Sequence, residues 1–199
     1  TKEKYIFNIR EFYNEYHLLM NDIVSFIVNV CLWSNEVPHS NFISQIDSTR
    51  LTYWFHCASH GEYEQVRPVL RGLKEVEEDS IILVSFFSPS GYANVNDDDI
   101  DLKIYLPLDF PWSVSKILKL VRPHKLIFAE YDVWPNLVWT AERLKIHTIL
   151  FSARLHRKSP KLWPIISNFF HHVYSSLASV YTISEKDNIQ LRRLLSIKP

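Results

Sequence analysis

From Leu51 onward, short continuous apolar runs alternate with charged amphipathic stretches, and this alternation allows few folds. The apolar runs predict six strands, at residues 52–57, 81–87, 102–106, 125–129, 147–151 and 179–183. The stretches between them predict helices at residues 62–76, 111–120, 135–144, 161–176 and 185–195. Strands that are apolar on both faces and separated by helices are typical of parallel sheets. The expected fold class is therefore α/β, a Rossmann-like parallel sheet flanked by helices.

Residues 1–50 lack this alternation, and we expect them to form a helical, membrane-proximal segment and a linker ahead of a domain at residues 51–199. The apolar run at residues 23–33 is much shorter than the roughly 20 residues that a membrane-spanning helix needs. The chain has 22 basic and 22 acidic residues, so its overall charge indicates no partner, and no nucleic acid is expected. Cys31 and Cys57 lack metal-ligand spacing, and neither a zinc site nor a disulfide framework is predicted.

Two carboxylates follow predicted strands, which is where open parallel sheets bind ligands. Glu62 comes shortly after the first strand, at the start of a helix whose dipole favours the ionised form, so it could accept a proton. The alternative is that Glu62 is an ordinary acid of a first helical turn. Glu130 directly follows the fourth, buried-looking strand, and a carboxylate there needs a partner or a function.

The segment at residues 143–184 contains six Lys or Arg residues and no Asp or Glu, which favours an anionic partner. Arg154 is the main candidate, because it follows the fifth strand and a guanidinium group pairs well with phosphate or carboxylate. For Lys145 and Lys161, a solvated helix face is the simpler interpretation. Gly61 and Gly91 also follow strands, where glycine would let backbone amides approach a ligand closely.

Four motifs, in this order, resemble those of the 3-deoxy-D-manno-octulosonic acid (Kdo) transferases. They are S-H-G-E at residues 59–62, S-P-S-G at 88–91, E-Y-D-V-W-P-N at 130–136 and S-A-R-L-H-R-K-S at 152–159. The segment Y-L-P-L-D at residues 105–109 is similar to a further family motif. Ser88, Asp132 and Ser152 depart from the family pattern, which has Thr, Glu and Asn at these places.

The resemblance implies the N-terminal half of a GT-B glycosyltransferase. In that family this domain receives a lipid A precursor, and a C-terminal domain, absent from these residues, binds the donor CMP-Kdo. The implied reaction is an inverting transfer in lipopolysaccharide core biosynthesis, with peripheral contact at the cytoplasmic face of the bacterial inner membrane. No metal and no cofactor besides the donor substrate is implied, and these 199 residues alone are expected to be inactive.

The resemblance also assigns roles to residues. Glu62 would be the general base and Glu130 a second catalytic or acceptor-orienting group. The implied substrate-binding residues are Ser59, Gly61, Ser88, Gly91, Asn136, Arg154, Arg157 and Lys158. Two alternatives stay open: a noncatalytic domain that binds phosphorylated lipid or saccharide, and a GT-B glycosyltransferase that uses another nucleotide sugar.

Overall fold

The computed structural model describes residues 46–196, except residues 48, 131 and 165. These residues belong to the second of the two units into which the chain divides, Thr1–Val37 and Pro38–Pro199. The segment and linker predicted at residues 1–50 therefore lie almost entirely outside the described residues.

Six parallel strands form one sheet. They are β1 (Thr52–Cys57), β2 (Ile81–Phe86), β3 (Leu102–Tyr105), β4 (Lys125–Ala129), β5 (His147–Ala153) and β6 (Ser179–Thr182). The helices are α1 (His60–Val76), α2 (Pro89–Asn94), α3 (Pro111–Val121), α4 (Pro135–Arg143), α5 (Ser167–Ser175) and α6 (Glu185–Leu195). The predicted α/β fold class, a Rossmann-like parallel sheet flanked by helices, is confirmed.

Two helical segments differ from the sequence prediction. The helix predicted at residues 161–176 is interrupted: a 3₁₀ turn spans Pro160–Leu162, and α5 begins only at Ser167. Pro164 lies between them, and a proline there lacks the amide that a continuing helix would use. The short helix α2, which the sequence pattern does not predict, begins at Pro89 with Ser88 as its N-cap residue.

The strand order is β3-β2-β1-β4-β5-β6, so the direction of winding reverses between β1 and β4. Helices α1 and α2 pack on the face that carries Phe55 and Ile127, whereas α3 to α6 pack on the face that carries Trp54 and Phe128. The chain therefore leaves β1 and β4 toward opposite faces, and a crevice forms between the two strand ends. In open α/β sheets such a crevice is the usual ligand site.

Ser152 has a left-handed backbone, with φ of 53°, at the point in β5 where the pairing with β6 shifts register. We expect Ser152→Asn to raise the free energy of unfolding by about 0.5 kcal/mol, because Asn enters this region at lower cost than most residues. Ser152→Val should instead lower it by about 1 kcal/mol, since a β-branched side chain is least tolerated there. Urea titrations of the three proteins check this, and identical midpoints would contradict it.

Candidate active site

Glu62 lies in the first turn of α1, at the crevice beside the end of β1. The hydroxyl of Ser59, the N-cap residue, accepts the Glu62 N–H at 3.4 Å. The Glu62 side chain turns back, so that its Oε2 atom accepts the Ala58 N–H at 2.7 Å. This reciprocal arrangement is similar to a capping box, which gives Glu62 and Ser59 a structural role at the helix start.

Glu62 also has an unusual proton affinity. The residue is only 6% exposed. Burial raises the pKa of Glu62 to about 7 although the Ala58 N–H acts in the opposite direction, and the nearby charges of Asp132 and Glu130 raise it further. The helix start therefore does not keep Glu62 fully ionised at neutral pH, because desolvation outweighs the Ala58 N–H donor. A carboxylate with this pKa exchanges a proton readily near neutral pH.

Glu130 lies across the crevice, directly after β4, and it is also 6% exposed. Its backbone is left-handed, with φ of 54°, and its N–H donates to the Phe151 carbonyl at 2.9 Å. The Gln65 amide on α1 donates to Glu130 Oε1, and Arg154 Nη2 lies 3.4 Å from the same oxygen. The partners that a buried carboxylate requires are thus Gln65 and Arg154, and no local sequence signal marks Gln65.

Of the three predicted cations after β5, the structure brings one to the crevice. Arg154 pairs with Glu130, and its side chain is 38% exposed. The Arg154 Nε atom is buried and has no hydrogen-bond partner within the described part of the chain. Arg157 and Lys158 lie in the exposed turn that precedes the 3₁₀ segment. Arg154 therefore has the geometry to hold an anion beside Glu130, whereas Arg157 and Lys158 are exposed to solvent.

A chain of hydrogen-bonded polar side chains that no sequence pattern marks lies next to these carboxylates. His56 Nε2 lies 3.4 Å from Asp132 Oδ2, and His56 Nδ1 lies 3.0 Å from the Ser85 hydroxyl. The Trp134 indole N–H also donates to Asp132, at 3.1 Å. Burial acts to raise the pKa of Asp132, but the His56 hydrogen bond and charge, the Trp134 donor and the charge of Lys161 together lower it. Asp132 therefore stays anionic close to Glu62.

Lys161 is not part of a solvated helix face, and that interpretation of the sequence is wrong. Its ammonium group donates to the Tyr174 hydroxyl at 3.0 Å and lies 5.3 Å from the ring centroids of Phe170 and Tyr174. Burial lowers the pKa of Lys161 to about 8, while the charge of Asp132 acts to raise it. The 3₁₀ segment thus directs one cation inward, toward Asp132.

Asn136 is held inside the protein by Asp109. The Asn136 side-chain amide donates to the Asp109 carbonyl oxygen at 2.7 Å. The Asp109 carboxylate accepts the backbone N–H groups of Asn136 and Leu137, both at 2.9 Å, at the first turn of α4. The motifs at residues 105–109 and 130–136 therefore meet as a helix cap supplied from a distant loop. A role of Asn136 in substrate binding stays a prediction.

Three further residues predicted to bind substrate, Gly61, Ser88 and Gly91, differ in how closely the protein packs around them. A Cβ atom at Gly91 would lie 2.7 Å from Phe86 Cδ1 and 3.2 Å from the His60 nitrogen, so glycine there lets α2 pack against the start of α1. Ser88 is half-buried, and its hydroxyl forms a hydrogen bond of 2.7 Å with the hydroxyl of Ser90. Gly61 is exposed, and the nearest atom to a Cβ there would be Ser59 Oγ at 3.9 Å. Of the two glycines predicted to bind substrate, Gly61 and not Gly91 leaves room for a ligand close to its backbone.

No group of three or more His, Cys, Asp or Glu side chains in the described ranges is arranged to hold a metal ion. Within the same ranges, no helix has the length and apolar character to cross a membrane.

A sequence model of one protein family, described as 3-deoxy-D-manno-octulosonic-acid transferase (kdotransferase), matches residues 35–198. The chain belongs to this family. The resemblance drawn from the four motifs is thereby confirmed.

Individual relatives agree with the family match. The chain is 30% identical over 146 residues to a probable 3-deoxy-D-manno-octulosonic acid transferase, mitochondrial, from Arabidopsis thaliana, a match that covers 71% of this chain and 32% of the plant protein. It is 28% identical over 146 residues to a 3-deoxy-D-manno-octulosonic acid transferase from Haemophilus influenzae, covering 72% of this chain and 34% of that protein. The chain thus spans about a third of the length of these curated relatives.

Among solved structures, a UDP-N-acetylglucosamine 2-epimerase is similar with a TM-score of 0.53 at 12% sequence identity. The match covers 75% of this chain and 46% of the epimerase chain. At this identity the likeness shows the fold alone, and it agrees with one Rossmann-like half of a GT-B architecture.

Proposed function

We propose that this domain is the acceptor-binding part of an inverting glycosyltransferase that moves Kdo from CMP-Kdo to a lipid A precursor. Family membership supports the transferred sugar, since both relatives described above are named Kdo transferases. The observation that carries the proposal is Glu62, a buried carboxylate with a pKa of about 7 at the crevice where the strand order reverses. A base with this pKa at a ligand crevice fits the deprotonation of a sugar hydroxyl.

In this mechanism Glu62 acts through one oxygen. Its Oε2 atom is held by the Ala58 N–H, which leaves Oε1 to accept the proton of the acceptor hydroxyl. As the proton moves to Glu62, the hydroxyl oxygen forms a bond to the anomeric carbon of Kdo. The bond from that carbon to the phosphate oxygen of CMP breaks, and CMP leaves with the electron pair. Attack opposite the leaving group inverts the anomeric centre.

Glu130 and Arg154 would position the acceptor. Glu130 holds one end of the Arg154 guanidinium group, which fixes the direction of the remaining N–H donors. The exposed donors of this half-exposed side chain would bind a phosphate group of the acceptor. Arg157 and Lys158 would add positive potential at the exposed rim, where an anionic acceptor arrives.

The same proposal places the reaction at the cytoplasmic face of the bacterial inner membrane, in peripheral contact with the lipid that carries the acceptor. A lipid A precursor is anchored there by its acyl chains, and a binding domain needs only to reach its headgroup. We assign CMP-Kdo mainly to the second Rossmann-like domain that a GT-B architecture implies.

The direct test is a transfer assay with the intact gene product, CMP-Kdo and an acylated, phosphorylated lipid A precursor. Mass spectrometry should show the acceptor gaining the mass of a Kdo residue. A gene product that binds the acceptor without forming any adduct would instead favour a noncatalytic binding domain. Transfer from a different nucleotide sugar alone would favour another GT-B activity.

A further inference from the structure

An apolar groove of about 240 Å³ runs along the α1 side of the sheet, away from the charged groups of the crevice. Val66, Val69 and Leu73 of α1 form one wall, Ile127 and Ile149 of the sheet form the floor, and Tyr181 of β6 forms the opposite rim. The groove is part of the domain surface, because Val69 is 40% exposed and Tyr181 is 59% exposed.

The groove exists because the helices are divided unequally between the two faces of the sheet. In the described residues, helices α3 to α6 all pack on one face, and only α1 and α2 pack on the other. Helix α1 covers β1 and part of β4, so the α1-side face of β5 and β6 remains without a covering helix in residues 49–196. An exposed apolar surface of this kind marks a binding site more often than an isolated exposed side chain does.

One end of the groove points along α1 toward the candidate active site. Glu62, Val66, Val69 and Leu73 are spaced four, three and four residues apart, so they form a single stripe along α1. This stripe is about 16 Å long and begins at the proposed base. At the same end, Phe151 lines the groove, and its carbonyl oxygen accepts the N–H of Glu130 at 2.9 Å.

The shape and polarity of the groove suit an elongated aliphatic ligand. Lys125 is the charged residue of its lining, and it lies at the first residue of β4, the opposite end of that strand from Glu130. The Lys125 ammonium group lies 6.0 Å from the centroid of the Tyr53 ring. A ligand that reaches from the crevice into the groove would therefore have a polar head at Glu62 and an apolar tail along α1, and each methylene that leaves water contributes favourably.

We propose that an acyl chain of the acceptor lies in this groove while the acceptor hydroxyl meets Glu62. The inference rests on the proposed function, which supplies an acylated sugar as the acceptor. It assigns the groove a role in specificity: the enzyme selects acylated over deacylated acceptors through Val66, Val69 and Tyr181, which lie away from the reacting atoms.

The test compares KM for the acylated acceptor with KM for the same acceptor after chemical deacylation. Val69→Glu and Tyr181→Glu, from opposite sides of the groove, should each raise the ratio of acylated to deacylated KM roughly tenfold or more, because a carboxylate in the groove opposes an aliphatic chain. The matched control is Val76→Glu, the same change in the same helix at a residue that is 81% exposed. It should leave the ratio as in the unmodified protein. Equal losses with both acceptors would indicate that a protein segment covers the groove, and would overturn the proposal.

A second measurement separates this inference from the proposed function. A nitroxide-labelled stearic acid should broaden the methyl resonances of Val66, Val69, Ile127 and Ile149, and Val69→Glu should abolish the broadening. This readout requires no transfer, so broadening in a protein that transfers no Kdo would refute the function and retain the acyl site. Kdo transfer without broadening, and with an unchanged KM ratio in both groove variants, would refute the acyl site and retain the function.

Discussion

Glu62→Gln in the intact gene product should lower kcat for Kdo transfer by about 10²–10⁴-fold, the usual contribution of a general base. The glutamine keeps an oxygen that can accept the Ala58 N–H, now 2.7 Å from Glu62 Oε2, so the start of α1 should persist. Glu64→Gln is the matched control, because Glu64 lies in the same helical turn with half of its side chain exposed. Its kcat should stay within about twofold, as expected for a surface change.

Glu62→Gln should also be more stable than the unmodified protein at pH 8. Burial raises the pKa of Glu62 from 4.5 to about 7, so the folded protein binds this proton more tightly than the unfolded chain does. The resulting stabilisation is fully present below pH 4.5 and is lost as the pH rises through about 7. Above that pH the buried charge is a cost, which glutamine removes. We expect a gain of about 1–3 kcal/mol in the free energy of unfolding at pH 8, falling toward zero near pH 4.5.

The pH dependence of the rate follows from the same proton. Since the proposed base, Glu62, must be unprotonated to act, kcat/KM should rise with pH through about 7 and level off above it. Urea titrations and initial rates, each measured between pH 5 and pH 9, test both halves of this expectation. A variant that loses activity and stability together at pH 8 would show that Glu62 serves mainly as the cap of α1.

Strands β1, β2 and β4 could be predicted from the sequence because their burial is nearly complete. In β1 all six residues are buried, so the local pattern is a continuous apolar run interrupted only by His56. The proximity of Glu62 to Glu130 could be inferred only from fold class, since it depends on β1 lying beside β4. No short-range pattern encodes that neighbour relation, whereas the parallel sheet and its crevice make it a natural expectation.

The contacts that the sequence did not reveal depend on distant packing. The sequence pattern places Lys161 in a long basic helix, but Pro164 interrupts that helix and α5 supplies the rings beneath the Lys161 ammonium group. His56 carried no signal of its own, because its partner Asp132 lies 76 residues away. Asn136 belongs to a motif that predicts substrate binding, and nothing in the sequence indicates that its amide is engaged by Asp109. Motifs show which residues occur together, and only the fold separates supporting residues from reacting ones.

Asp109→Ala should lower the free energy of unfolding by about 2–3 kcal/mol, the largest stability loss that we expect from a single polar residue here. The change removes the acceptor of the Asn136 and Leu137 amides at the first turn of α4, where Trp134, the N-cap residue, offers no side-chain hydrogen bond. Pro135 lacks an N–H group, so those two amides are the ones that require an acceptor there. Asp98→Ala is the control, because Asp98 is exposed, and it should change stability by less than about 0.5 kcal/mol.

Asp109→Asn distinguishes the cap from the charge. Burial raises the pKa of Asp109 despite the opposing amide donors of Asn136 and Leu137, so ionisation costs more at this position than in the unfolded chain. Asparagine retains an acceptor oxygen for one of the two amides and places an NH2 group against the other, so we expect it to recover only part of the alanine loss. Hydrogen exchange should accelerate at Asn136 and Leu137 in the alanine variant before it does so in the sheet. Because α4 begins directly after Trp134 and close to Asp132, a loosened cap should also reduce the rate of transfer, although Asp109 itself does not contact the substrate. A stable α4 with fully protected amides in Asp109→Ala would show that this helix is held by its packing alone.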